Sequence, residues 1–237
     1  MTRRDQQKRQ TRQAFFQAVL QLSMAGQAFS SISLRQLTRE VDVVPTAFYR
    51  HFADMDELGQ CLVNEELGHA LLKLQGHLQI GKTRTHTGQI AGSVQLFLES
   101  VSQAPLYWHF IVSERYGGNQ AVHTALNEQL SRYVKTLADD LALQPAFAKF
   151  DSTMLALIAD MGVNLFFSWV YEWLAFDEHQ SDNQQTDNTQ SEQKQAYINR
   201  CIYQAQILFY GVSNWQPKAA VMSNAIGQYA KNIAQTD

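Results

Sequence analysis

The sequence predicts an all-α protein, a small three-helix head followed by a larger helical body. Three observations carry this. Apolar residues recur at three- and four-residue spacing along nearly the whole chain. No stretch sustains the period-two alternation of a strand. The basic and acidic residues divide unevenly. Residues 1–52 hold eight Lys/Arg (Arg3, Arg4, Lys8, Arg9, Arg12, Arg35, Arg39, Arg50) against three acids (Asp5, Glu40, Asp42), whereas the whole chain has 19 bases and 22 acids. A cationic end on an acidic body implies a polyanionic partner for that end.

The elements follow in order. Residues 1–12 form a basic arm, its first seven residues expected to be frayed and available to DNA phosphates or a minor groove. Phe15, Ala18, Val19 and Leu22 place helix one at about 6–25, and Gly26 is its stop. Leu34, Leu37 and Val41 line one face of a second helix. Ser33 and Gln36 have the spacing of a reciprocal capping box. Pro45 belongs in the first turn of a third helix, and the residue before a proline is pushed out of helical geometry, so the chain turns at 42–44. Asp42 at that turn can adopt the left-handed conformation, as few residues other than glycine do.

The third helix, 45–52, turns Phe48 and Phe52 inward, to close a core with helix one and with Leu34 and Leu37. Thr46 and Arg50 point away, and Ala47, Tyr49 and His51 flank them. Two short helices joined by a tight turn form a helix-turn-helix, whose second helix fits a major groove. Thr and Ala can touch base edges and thymine methyls; Arg can read guanine or hold a phosphate. Many helical proteins contain such a hairpin, so the charge division matters as much as the spacing.

Asp54 caps a long helix expected to run to about Gly81, a lever leaving the head. The division expected is therefore 1–54 for the head and 55–237 for the body. A loop at 81–87 precedes helices at about 88–103, from Pro105 to Gly117, and at 119–141. An aromatic-rich helix spans 147–176. The segment 179–193 lacks apolar residues and is expected to be a mobile loop. Helical stripes follow at 197–209 and, after Pro217, at 217–234. The apolar window 155–176 is interrupted by Asp160, Asn164 and Glu172, which favours a buried helix over a membrane span.

No catalytic or metal constellation is present. The two cysteines, Cys61 and Cys201, lie far apart, and the seven histidines form no HxxxH or HExxH pair. GxSxG, P-loop and GxGxxG motifs are absent. The expectation is a non-enzymatic, cytoplasmic protein without metal or cofactor.

Residues 8–58 resemble the DNA-binding domain of the TetR family of bacterial repressors. The stretch Val43–Leu58, VVPTAFYRHFADMDEL, matches the family pattern of Val, a short variable run, Phe/Leu-Tyr-x-His/Tyr-Phe and a Leu six residues on. Asp42 replaces the usual turn glycine, and Met55 stands where a lysine often supports a backbone contact. The resemblance implies DNA contacts by Arg35, Val44, Pro45, Thr46, Ala47, Tyr49, Arg50 and His51. MTRRDQQKRQTRQAF, the 33–59 stretch, Glu114-Arg115 and the run to Leu141 are similar to the FabR- and DesT-like subgroup, which controls unsaturated fatty-acid synthesis and desaturation.

That similarity implies a repressor tuned by a fatty acyl effector, held inside the body as a coenzyme A thioester. Phe97, Trp108, Ile111, Phe166, Val170 and Trp173 could line an apolar cavity, and Arg115 could meet the phosphate end. Aromatic stripes of this kind are also ordinary core. The stripes at 150–176 and 196–210 fit the family's four-helix dimer interface, or simply the monomer's own core, and a two-fold dimer calls for a palindromic operator. Two alternatives stay open: an efflux regulator sensing an aromatic or cationic compound, and a helical lipid carrier or acyl-thioester enzyme that has lost DNA binding.

Overall fold

A computed structural model describes residues 2–68, 71, 86–178 and 187–215. Every regular element among them is helical: α1 Arg3–Met24, α2 Leu34–Glu40, α3 Pro45–Phe48, α4 Met55–Leu62, α5 His86–Gln103, α6 Pro105–Glu114, α7 Gln120–Ala142, α8 Ser152–Glu178 and α9 Asp187–Asn214. The all-α expectation holds. The chain forms two compact units, Met1–Leu71 with Ala104–Gln129, and Leu72–Gln103 with Leu130–Asp237.

In the first unit, helix ends follow local chemistry. α1 begins at Arg3, earlier than its apolar period suggests. Thr2 Oγ1 accepts the Asp5 N–H at 3.3 Å, and Asp5 Oδ2 accepts the Thr2 N–H at 3.0 Å. This capping box makes the expected frayed arm a helical turn. α1 ends with Gly26 at φ 87°, where Gln27 N–H donates to Leu22 O and Gly26 N–H to Ser23 O. α2 ends in the same way at Asp42, φ 53°, with Val43 N–H on Thr38 O and Asp42 N–H on Arg39 O. Both are Schellman motifs, which satisfy the last carbonyls of a helix. An aspartate does at α2 what glycine does at α1.

Two local expectations need correction. Ser33 Oγ accepts the Gln36 N–H at 3.2 Å, but the Gln36 amide turns to Gln27 Oε1 at 2.8 Å instead of the cap. Half the capping box forms: the Gln36 carboxamide, whose oxygen would have to accept the Ser33 N–H, is held instead as a donor to Gln27. The lever helix is not uniformly α-helical either: after α4 the chain makes a π-helical turn, Val63–Leu67. Its further course to Gly81 lies outside the described residues.

The core of this unit is aromatic. Phe15 meets Phe48 edge-on at 5.4 Å and Phe52 at 6.0 Å, and Phe48 lies 5.4 Å from Phe52. Phe16 and Leu20 are also fully buried, because α1 packs against α6 as well as α2. Burying a phenylalanine contributes about 1.5–3 kcal/mol, so this cluster holds α3 in place despite its single turn.

In the second unit, α5, α8 and α9 pack against one another. Val94, Val101, Ala159, Val170, Cys201 and Ala205 are almost wholly buried. A Cβ at Gly162 would lie 3.2 Å from Phe209, so its lack of a side chain admits that ring between α8 and α9. α8 starts at Ser152 rather than 147, after a 3₁₀ turn at Pro145–Phe147, with Asp151 Oδ1 accepting the Met154 N–H at 2.8 Å. Ser152–Phe176 is long and apolar enough to cross a membrane by composition, but Ile158, Ala159, Val163 and Val170 are buried in this helical unit. The expected loop 179–193 is corrected in its second half. Residues 187–193 belong to α9, where Gln and Glu are good helix formers and 191–193 face solvent. Residues 179–186 and the expected helix 217–234 lie outside the described residues.

Candidate nucleic-acid interface

Pro45 opens α3 at its first turn with Val44 as cap, and Phe48 anchors it. α3 is shorter than the expected 45–52. The chain continues as bonded turns, with His51 N–H on Phe48 O at 2.8 Å and Phe52 N–H on Phe48 O at 3.1 Å. These turns keep Phe52 in the core while Tyr49 and Arg50 stay outside.

Val44, Pro45, Thr46, Tyr49 and Arg50 are exposed, as is Arg35 on α2. Ala47 and His51 are half-buried. Arg35 and Arg50 make no side-chain hydrogen bond or ion pair among the described residues, so both charges are available to a partner. The Tyr49 ring stands perpendicular to Phe48 at 5.6 Å, which holds it on the surface at 59% exposure. All eight residues thus lie on one short segment and the helix before it, in the basic part of the chain.

His51 has a different character from the rest. Burial, and then the cations Lys8, Arg12 and Arg50, push its proton affinity below the ordinary value of 6.5. Its Nδ1 is buried without a hydrogen-bond partner. The ring is therefore neutral near pH 7, and only an incoming anion would favour its charge.

Arg12, which spacing alone does not distinguish from the other basic residues, is built into this segment from behind. Nη1 donates to the His51 carbonyl at 3.2 Å, Nε donates to Glu65 Oε2 at 3.4 Å, and Nη2 donates to Glu65 Oε1. The guanidinium also lies 4.5 Å from the Phe52 ring centre. Burial works against its charge, but the Glu65 carboxylate and the Cys61 thiol outweigh it and hold the proton more tightly than in a free arginine.

The candidate ligand residues fall into two groups. Phe97, Phe166, Val170 and Trp173 are buried in the second unit, with Phe97 and Phe166 5.3 Å apart. Trp169, absent from the sequence-derived set, joins them with its ring 4.8 Å from Phe166. The polar edges in this cluster are satisfied: Trp173 Nε1 donates to Ser102 Oγ at 2.9 Å, Trp169 Nε1 to Gln204 Oε1 at 2.8 Å, and Tyr197 OH to the Trp169 carbonyl. Trp108 and Ile111 are buried on α6 in the first unit, and Arg115, half-buried, stands beside Tyr116.

No family model matches the sequence. Solved structures do match the fold. The fatty acid degradation regulator FadR of Bacillus halodurans has a TM-score of 0.61 at 15% identity, over 85% of this chain and 96% of its own. The transcriptional regulator FadR of Bacillus subtilis, in complex with stearoyl-CoA, has a TM-score of 0.60 at 13% identity, over 84% and 98%. A TetR-family transcription regulator from Shewanella has a TM-score of 0.57 at 15% identity, over 85% and 97%. The chain has the all-α fold of these regulators.

Proposed function

We propose that this chain is a transcriptional repressor that binds a palindromic operator as a homodimer and whose DNA affinity is set by a fatty acyl chain, held as a coenzyme A thioester. One observation carries the reading. The short α3 segment and the turns after it, braced by Phe48 and Phe52, present Thr46, Tyr49 and Arg50 to solvent, beside Arg35, in the basic part of an otherwise acidic chain. In this reading the head, 1–54, docks on DNA, with Val44, Pro45, Ala47 and His51 completing the contact set.

The effector reading is supported by the aromatic cluster of the second unit and by the shared fold of a regulator solved with stearoyl-CoA. The resemblance to the FabR- and DesT-like subgroup narrows the targets to genes of unsaturated fatty-acid synthesis or desaturation. Exposed Met161 and Tyr171 on α8, with Tyr203 and Ile207 on α9, supply an apolar surface for a second copy.

The test uses the full chain and a duplex selected by it from a random-sequence pool. Arg35→Ala and Arg50→Ala should each weaken binding and lower the slope of log affinity against log salt by about 1. Wild-type affinity in both variants would refute the DNA reading. Stearoyl-CoA and oleoyl-CoA, added in turn, should change the affinity of the wild-type complex; indifference to both would refute the acyl effector.

A further inference from the structure

Arg12 joins two segments of the first unit that lie far apart in the chain, the turns that follow α3 and the turn that follows α4. Its guanidinium is divided between the His51 carbonyl and the Glu65 carboxylate and stacked over Phe52, with Phe16 5.3 Å away. Only 25% of the side chain reaches solvent. Three of the five N–H donors of the guanidinium are engaged in this way, which leaves little of it to meet a phosphate. It satisfies a carbonyl at the end of the α3 segment, where the helix leaves acceptors without partners and where a cation is favourably placed.

Its other partner is equally distinctive. Glu65 lies in the middle of the π-helical turn that follows α4. A π turn closes i→i+5 hydrogen bonds, and such single turns are frequent at functional sites. Returning it to α geometry would rotate the residues of the turn about the helix axis and carry Glu65 off Arg12.

We propose that Arg12 is the positioning residue of the α3 segment: it fixes the His51 carbonyl, and through Glu65 it couples the orientation of α3 to the π turn. This rests on the DNA-binding reading above and adds a regulatory connection to it. A change in the π turn, Val63–Leu67, then reaches the α3 segment through the Arg12–Glu65 ion pair. Lysine cannot replace Arg12, because an ammonium lacks the planar fork that spans both partners and stacks on Phe52.

The experiment compares Arg12→Lys, Arg12→Ala and Glu65→Gln in the full chain, with the selected duplex and with amide hydrogen exchange of the free protein. Losing one charge-assisted contact should lower affinity about tenfold in Arg12→Lys and Glu65→Gln, with the salt slope unchanged. Exchange should quicken over 49–52 and stay unchanged over α2. If Arg12→Lys binds as wild type while Arg12→Ala loses about 1 from the salt slope, Arg12 is a phosphate contact and the proposal falls. Unchanged exchange over 49–52 in Arg12→Lys and Glu65→Gln also overturns it. A wild-type chain that selects no duplex would refute the DNA reading instead, and the exchange measurement would still decide the coupling.

Discussion

Gly59 sits inside α4, where an alanine would ordinarily help. Replacing glycine by alanine in a helix interior contributes about 1 kcal/mol from propensity alone. Here the added methyl has no room. A Cβ at Gly59 would stand 2.5 Å from Val122 Cγ2 and 2.8 Å from Phe29 Cε1 and Cζ. Neither neighbour can retreat easily. Val122 is fully buried on α7 with the stiff χ1 of a β-branched residue. Phe29 is 2% exposed, meets Phe110 edge-on at 6.2 Å, and its N–H donates to buried Glu114 Oε1 at 2.8 Å. Overpacking a methyl costs about 1–3 kcal/mol, and two contacts onto immobile groups place this case near the top. After the propensity gain, Gly59→Ala should destabilise by about 2 kcal/mol and lower the melting temperature by about 4–8 °C. Urea denaturation followed by circular dichroism measures it. Gly59→Ala combined with Val122→Ala should be more stable than the sum of the two single changes. A Gly59→Ala protein as stable as wild type would refute the packing argument.

Three further outcomes follow from the first unit. Asp42 has φ 53°, so Asp42→Gly should be tolerated, whereas Asp42→Val should lose about 1–2 kcal/mol in the same denaturation assay. Glu114→Ala removes the acceptor of the Phe29 amide and should lose about 1–3 kcal/mol, again by urea denaturation. The depressed proton affinity of His51 makes the unfolded chain the better proton acceptor, so its contribution to stability is full above the unfolded value of 6.5. That contribution falls as pH drops through 6.5 towards the lower folded value. Denaturation at pH 7.5 and 5.5 should show a loss on acidification that is smaller in His51→Gln; an equal loss would refute it.

Much of the first unit was legible because its signals are local. Pro45, Gly26, Ser33 and Asp54 punctuate helices through their own backbones and caps. The spacing of Phe48 and Phe52 already separates an inward face from the outward one that carries Thr46 and Arg50. Even the left-handed turn at Asp42 is a property of a single residue. The start of α9 is not legible as helix, because a segment without apolar residues reads as a loop, although a solvated helix needs none.

The remaining features depend on contacts between residues distant in the chain. The early helical run from Ser33 to Leu58 is determined by the order of residues, since caps, prolines and periodic phenylalanines act within a turn or two. Tertiary structure decided that α1 is buried on a second stripe through Phe16 and Leu20, that Glu65 lies on a π turn facing Arg12, and that the proposed ligand residues divide between two units. Arg12 has the same chemistry as Arg9 on the same helix. Only the fold, by bringing His51, Phe52 and Glu65 around it, turns one basic residue of the series from a surface charge into an interior tie.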